Sequence, residues 1–248
     1  MARVFRVKGE ARSTSRNEDL LVASTDGIYL IKDFSMRKLE EGEGEAVDIL
    51  EEYAYAISGV VHYGKRTIEF GSRVMDLSIS PEGSLLIAGK KNEIIAMIDG
   101  ETRRFQTTNR VTGVDRIDND TFVYSSRDGK CVVMSLEGEV IDRISVDRPF
   151  TSVVVGDKIY VGVSDGGIYG FTVGGEIEYV GEHVRRVFGL DYYDALFSVG
   201  EDRYVKVRKN GLKKKRKLHF DTYDVAAYEE KIAVVGPRYI RIARVEEL

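Results

Sequence analysis

The strongest constraint in this sequence is that it repeats. An apolar run closes on a small residue, a polar turn that often holds Asp-Gly follows, and an alternating run comes next. The first copy reads Leu20-Leu21-Val22-Ala23-Ser24, Thr25-Asp26-Gly27, Ile28-Tyr29-Leu30-Ile31. In the third, residues 85–89 precede Lys90-Lys91-Asn92, and in the fourth, residues 122–126 precede Arg127-Asp128-Gly129. The fifth turns at Ser164-Asp165-Gly166, the sixth at Glu201-Asp202-Arg203 and the seventh at Pro237-Arg238. The second is the loosest, with its turn expected near His62-Tyr63-Gly64-Lys65. The small residues fall at Ser24, Gly59, Gly89, Ser126, Val163, Gly200 and Gly236, at intervals of 35, 30, 37, 37, 37 and 36. Seven copies use up the 248 residues, so a single domain over 1–248 is expected.

The third copy displays four strands: residues 74–79, a Ser80-Pro81-Glu82-Gly83 turn, the two strands around Lys90-Lys91, an Asp99-Gly100 turn, and residues 103–105. Short strands broken by Gly, Asp and Pro turns make an all-β protein. A period near 40 residues with four strands selects a β-propeller, because a sandwich has no reason to repeat. The expectation is an all-β, seven-bladed β-propeller with four-stranded blades. The seventh copy stops one strand short, and Arg3-Val4-Phe5-Arg6-Val7 reads as a strand without a blade. The N-terminal strand is therefore expected to close the last blade and hide two sheet edges. Residues 45–56 fit either a helix, by apolar spacing, or two strands around Glu51-Glu52, by repeat register.

These features resemble WD40-like propellers, whose blades carry a turn Asp between their second and third strands. Asp26, Asp128, Asp165 and Asp202 match that position. The chain has no Trp, so the Trp-Asp dipeptide is missing, and no Gly-His pair opens a blade. Gly-Ile-Tyr after the turns of the first and fifth copies also resembles quinoprotein-type propeller repeats. The resemblance implies a scaffold that mediates protein–protein interaction in a larger complex.

The sequence offers little chemistry. Gly162-Val163-Ser164-Asp165-Gly166 matches the nucleophile-elbow pattern, but that motif needs a strand, a turn and a helix, and here a second strand follows. His62, His183 and His219 lie in different copies with no metal-ligand spacing and read as surface or loop residues. Cys131 is the only cysteine and reads as a buried apolar residue. No catalytic residue, metal or cofactor is expected, and the chain is read as not an enzyme. No apolar run resembles a signal peptide or a membrane span, which makes the cytoplasm the expected compartment, with no membrane partner. One Gln and five Asn against 78 charged residues is the pattern of a heat-adapted source.

Net charge is −4, so any anion-binding role must be local. Arg73, Arg110, Arg148 and Arg185 recur at spacings of 37, 38 and 37, each leading into a first strand. With the turn residues Lys90, Lys91, Arg127 and Arg203 they are expected to form a cationic arc at one mouth of the channel. Such an arc would bind an acidic segment of a protein partner; the alternative is that each Arg pairs with an Asp such as Asp76, Asp115 or Asp191. The run Lys213, Lys214, Lys215, Arg216 and Lys217 follows an Asn210-Gly211 hairpin turn. On an edge strand it either discourages sheet-to-sheet pairing or binds a polyanion such as RNA, with Tyr204 and Phe220 near enough to stack on bases.

Overall fold

The computed structural model describes residues 2–33, 35–50 and 52–247. They form strands throughout, apart from one 3-10 turn at Val245–Glu247. Repeats two to six each make a four-stranded antiparallel sheet with strands adjacent in chain order. The third, for example, runs Val74–Ile79, Leu85–Gly89, Glu93–Ile98 and Glu101–Gln106. In four repeats the second strand is buried along its whole length: Leu20–Ser24, Leu85–Gly89, Ile159–Val163 and Leu196–Gly200. That explains why these stretches read as continuous apolar runs: the sheets pack face to face, so both faces of a central strand are covered. The last strand of a repeat is largely exposed and polar, as in Leu212–Lys217.

Among the described residues the sheets number six, which corrects the expected seven. The first and last repeats are not separate blades; they share one continuous six-stranded sheet. Two 14-residue strands, Arg3–Arg16 and Lys231–Arg244, join them. The first half of Arg3–Arg16 pairs Arg3 with Ile242 and Arg6 with Tyr239, while its second half pairs Ala11 with Ser24 and Arg16 with Leu20. The register breaks between Arg6 and Glu10, where the strand passes from one repeat to the other. The stretch Lys231–Arg244 doubles back near Arg238, whose φ is 63°, and the Val245 N–H donates to the Glu230 carbonyl at 2.7 Å.

Residues 45–56 are strands: Gly44–Ile49 and Tyr53–Ile57. Glu51, in the expected turn, lies outside the described residues. The helix reading fails because Ala46, Ala54 and Ala56 alternate into the core of the second and third repeats. The turn between the second and third strands of this repeat falls at Ser58-Gly59 rather than near His62-Tyr63-Gly64-Lys65, and His62 lies within the strand Val60–Tyr63. Its ring stacks on Tyr55 at 4.9 Å.

Seven inner segments surround a channel cavity of about 440 Å³. Five of them carry an aspartate facing inward: Asp48, Asp76, Asp115, Asp191 and Asp224. One oxygen of each caps its own chain, as at Ile49 N (2.9 Å) and Tyr192 N (2.8 Å). The other accepts from the next inner strand: Ile79 N at 2.6 Å, Val114 N at 3.0 Å, Val155 N at 2.7 Å, Ala227 N at 2.5 Å and Thr14 N at 2.9 Å. These side chains touch the channel but protein encloses them. Burial raises Asp115 to about 6, Asp191 to about 7 and Asp224 to about 8, despite the backbone donors that pull the other way. Burial also raises Asp48 and Asp76.

The turn aspartates shift in the opposite direction. Asp26 accepts from Tyr29, Ser24, Lys38 and the Gly9 N–H, which outweigh its burial and hold it down at about 2. Asp128 and Asp202 are lowered by similar bonds. A carboxyl raised in the folded state stabilises at low pH and loses that stability as pH rises through its folded value; a lowered one loses it as pH falls. Denaturant unfolding should therefore show greatest stability at about pH 4, the ordinary carboxyl value, declining as pH rises toward about 8. Asp224→Asn should flatten the alkaline decline, as followed by the midpoint against pH.

Candidate functional site

The turn between the second and third strands and the lead-in to the first strand meet on one face of every sheet. Backbone bonds fix this: Lys90 N donates to Arg73 O, Arg127 N to Arg110 O, Ser164 N to Pro149 O, and Glu201 N to Arg186 O. The equivalent positions are thus Arg73, Arg110, Pro149 and Arg186. Arg148 and Arg185 stand one residue earlier, so the regular spacing hid a one-residue slip in the last two repeats. At Gly129 the turn approaches the lead-in so closely that a Cβ would meet the Arg148 carbonyl at 2.6 Å, and its φ is +76°, so glycine is required there.

The expected arc divides in two. Arg148 pairs with Asp165 at 3.5 Å and Asp147 at 3.4 Å, Arg185 with Glu201 at 3.3 Å, and Arg203 with Asp221 at 2.8 Å. These are exposed ion pairs, made with turn and loop acids. They are not made with Asp76, Asp115 or Asp191, whose carboxylates are engaged by backbone N–H groups around the channel. The other half has no such relief. Arg73, Lys90, Lys91 and Arg127 are exposed, and their side chains make no hydrogen bond or ion pair among the described residues.

Arg110 sits among them, half-buried. Its Nη2 donates to the Met75 Sδ at 3.1 Å, and its Nε is buried without a partner. A thioether is a weak acceptor. Burial lowers the Arg110 pKa, and the like charges of Arg127 and Arg73 lower it further. The rim of the third and fourth repeats is therefore a concentration of five cations that form no ion pair among the described residues. The pattern of Arg and Lys in the sequence located it, but only the pairing shows which members have charge to spare.

One constellation escaped sequence reasoning. His183 is buried, not at the surface: its Nδ1 lies 2.7 Å from Asp202 Oδ1 and its Nε2 3.0 Å from Ser198 Oγ. A Ser–His–Asp set resembles a hydrolase triad, but Ser198 and the His183 side chain are wholly enclosed, so no substrate reaches them. Burial lowers the His183 pKa although Asp202 raises it. The set ties the lead-in of the sixth repeat to its turn, since Asp202 also accepts from Val184 N at 3.0 Å. Ser126 with Asp128 (2.6 Å) and Ser24 with Asp26 (2.8 Å) make smaller versions. These bonds explain the recurring turn Asp. His219 is exposed and Cys131 is buried, as expected. Ser164 stands in a strand–turn–strand hairpin between Ile159–Val163 and Gly167–Phe171, which excludes the nucleophile elbow.

The basic run forms the edge strand Leu212–Lys217, paired with Tyr204–Lys209. Of the two aromatics expected near it, Tyr204 lies on this hairpin, with the Lys215 Nζ 5.6 Å from its ring centroid. Phe220 instead packs with the core between the sixth and seventh repeats.

Among solved structures, the WD40 β-propeller domain of Doa1 superposes on 97% of this chain and 94% of its own length, with a TM-score of 0.87 at 16% identity. The fold is that of a WD40 β-propeller. The computationally designed Ika8 protein is also similar, with a TM-score of 0.72 over 96% of this chain and 97% of its own, at 10% identity. No family model matches the chain, and a search of curated proteins found no match. The absence of a model match accords with the missing Trp-Asp and Gly-His signatures. Among the described residues no helix is long and apolar enough to cross a membrane.

An unpaired, partly buried cation beside like charges costs stability that function can retain. Arg110→Met should therefore raise the melting temperature by a few degrees, read by calorimetry, whereas Arg185→Ala should change it little because an exposed ion pair is worth about 0–1 kcal/mol.

Proposed function

We propose that this chain is a non-enzymatic scaffold that holds an acidic segment of a protein partner on the rim formed by Arg73, Lys90, Lys91, Arg110 and Arg127. The observation that carries the proposal is that, among the described residues, none of these five cations forms an ion pair, in a chain whose net charge is −4. Nearby cations on the same face find acids; these do not. An arginine fork matches a carboxylate bidentately and retains its charge at every physiological pH, so a Glu- or Asp-rich segment fits the rim well. Arg148, Arg185 and Arg203, already paired, stand outside the proposed site. The fold supports the reading, since WD40 propellers generally act as rigid platforms for protein partners.

A fluorescent Glu- and Asp-rich peptide titrated with the purified chain tests this. Binding should weaken as salt rises, because exposed charges are screened within about 10 Å at 0.1 M. Arg110→Glu with Arg127→Glu should abolish binding, and Arg185→Glu should leave it within about twofold. Equal loss in the double variant and in Arg185→Glu would refute the assignment to this part of the rim.

A further inference from the structure

The outer hairpin of the sixth repeat concentrates charge on one of its faces. Its register sets Tyr204 opposite Lys217, Lys206 opposite Lys215, and Arg208 opposite Lys213. Cross-strand partners share a face, and like charges directly opposite destabilise a sheet. Lys206, Arg208, Lys213, Lys215 and Lys217 therefore crowd one side with Tyr204, while Lys214 and Arg216 point to the other. The crowded side is turned toward the fifth repeat: Lys206 Nζ donates to the Glu182 carbonyl, and the Arg208 guanidinium lies against Gly181, where a Cβ would meet its Cζ at 2.5 Å.

Among the described residues, acidic relief on this face reaches only Lys206, whose Nζ is 3.5 Å from Asp202 Oδ2. Arg208 is half-buried, and its Nε and Nη1 are enclosed without a partner. Among the described residues Lys213 and Lys217 are exposed and unpaired, and Lys215 has only the Tyr204 ring beneath it, at 5.6 Å. Protection of the outer edge accounts for lysines on the edge strand itself. It does not account for two further cations placed directly opposite them on the neighbouring strand. Beside Arg208, on the strand Glu178–Glu182, Tyr179 stands 56% exposed.

We propose that this face binds a single strand of nucleic acid, with phosphates on Arg208, Lys213, Lys215 and Lys217 and a base stacked on Tyr179. Alternate residues of a strand repeat at about 6.7 Å, comparable with the step between phosphates of an extended single strand. Cations in a row beside an exposed ring form the usual sequence-tolerant arrangement for such a ligand. An acidic peptide would satisfy the charge but would leave the exposed ring unused. This face is separate from the rim of the third and fourth repeats, and the proposal does not depend on that site.

Fluorescence anisotropy of a labelled oligouridine of about 12 nucleotides, titrated with the full chain, tests the proposal. Affinity should fall steeply with salt from about 50 mM upward, and Lys213→Ala with Lys215→Ala should reduce the log–log slope by about 1.4, two contacts at about 0.7 each. Tyr179→Ala should weaken binding about tenfold without changing that slope. Arg110→Glu should leave binding intact. The proposal is overturned by an absence of binding at low salt, by an unchanged slope in the double variant, or by equal affinity for a duplex of the same length. Displacement by polyglutamate as effective, charge for charge, as by polyuridine would assign the face to acidic proteins instead.

Discussion

Everything in this molecule depends on the pairing of Arg3–Arg16 with Lys231–Arg244. A circular array of sheets that failed to close would leave two bare strands, each a template for association with another chain. Residues 3–6 supply the strand that the last repeat lacks, and residues 11–16 of the same strand continue into the first repeat. One uninterrupted strand thus belongs to both, which is why the two repeats merge into a single sheet of six. Val7, Ala11, Leu20 and Ile240 share one apolar cluster across that seam, so hydrogen bonding and packing close the ring together.

Inside the ring, carboxylates do the work that side-chain packing does elsewhere. An inner strand has a neighbouring strand on one side only, so its remaining N–H groups need other acceptors. The five inward aspartates supply them, each reaching across to the next repeat. The same residue type serves a second purpose at the outer turns, where Asp26, Asp128 and Asp202 bind hydroxyl, imidazole and backbone donors. Environment alone separates the two groups: enclosure among neutral donors favours the protonated acid, and several donors including cations favour the anion.

Much of the architecture was legible because each repeat carries its own turn chemistry and its own continuously apolar strand. The two-strand reading of residues 45–56 came from register, and the helix reading from spacing; packing of Ala46, Ala54 and Ala56 into the core decided between them. The sheet count was not legible, because the continuity of Arg3–Arg16 across two repeats is a matter of hydrogen bonding that no residue announces. The rim was half legible. Arg73 and Arg110 occupy equivalent lead-in positions, but a slip of one residue at Arg148 and Arg185 and the ion pairs with Asp165 and Glu201 lie beyond what spacing conveys. His183 was misread because its partners, Ser198 and Asp202, come from a different strand and turn, and isolated histidines in a sequence give no sign of enclosure.

The shared closing strand also has a temporal consequence. Arg6 and Tyr239 meet although 233 positions separate them along the chain. Such contacts are the slowest to form, because a long loop must close before it is rewarded. During synthesis residues 3–6 must wait, unpaired, until residues 239–242 have emerged, while the intervening repeats stack in turn. The final step then acts as a latch: it forms last, and thermal escape from the finished ring must begin by undoing it or by breaking into a sheet whose neighbours are already in place.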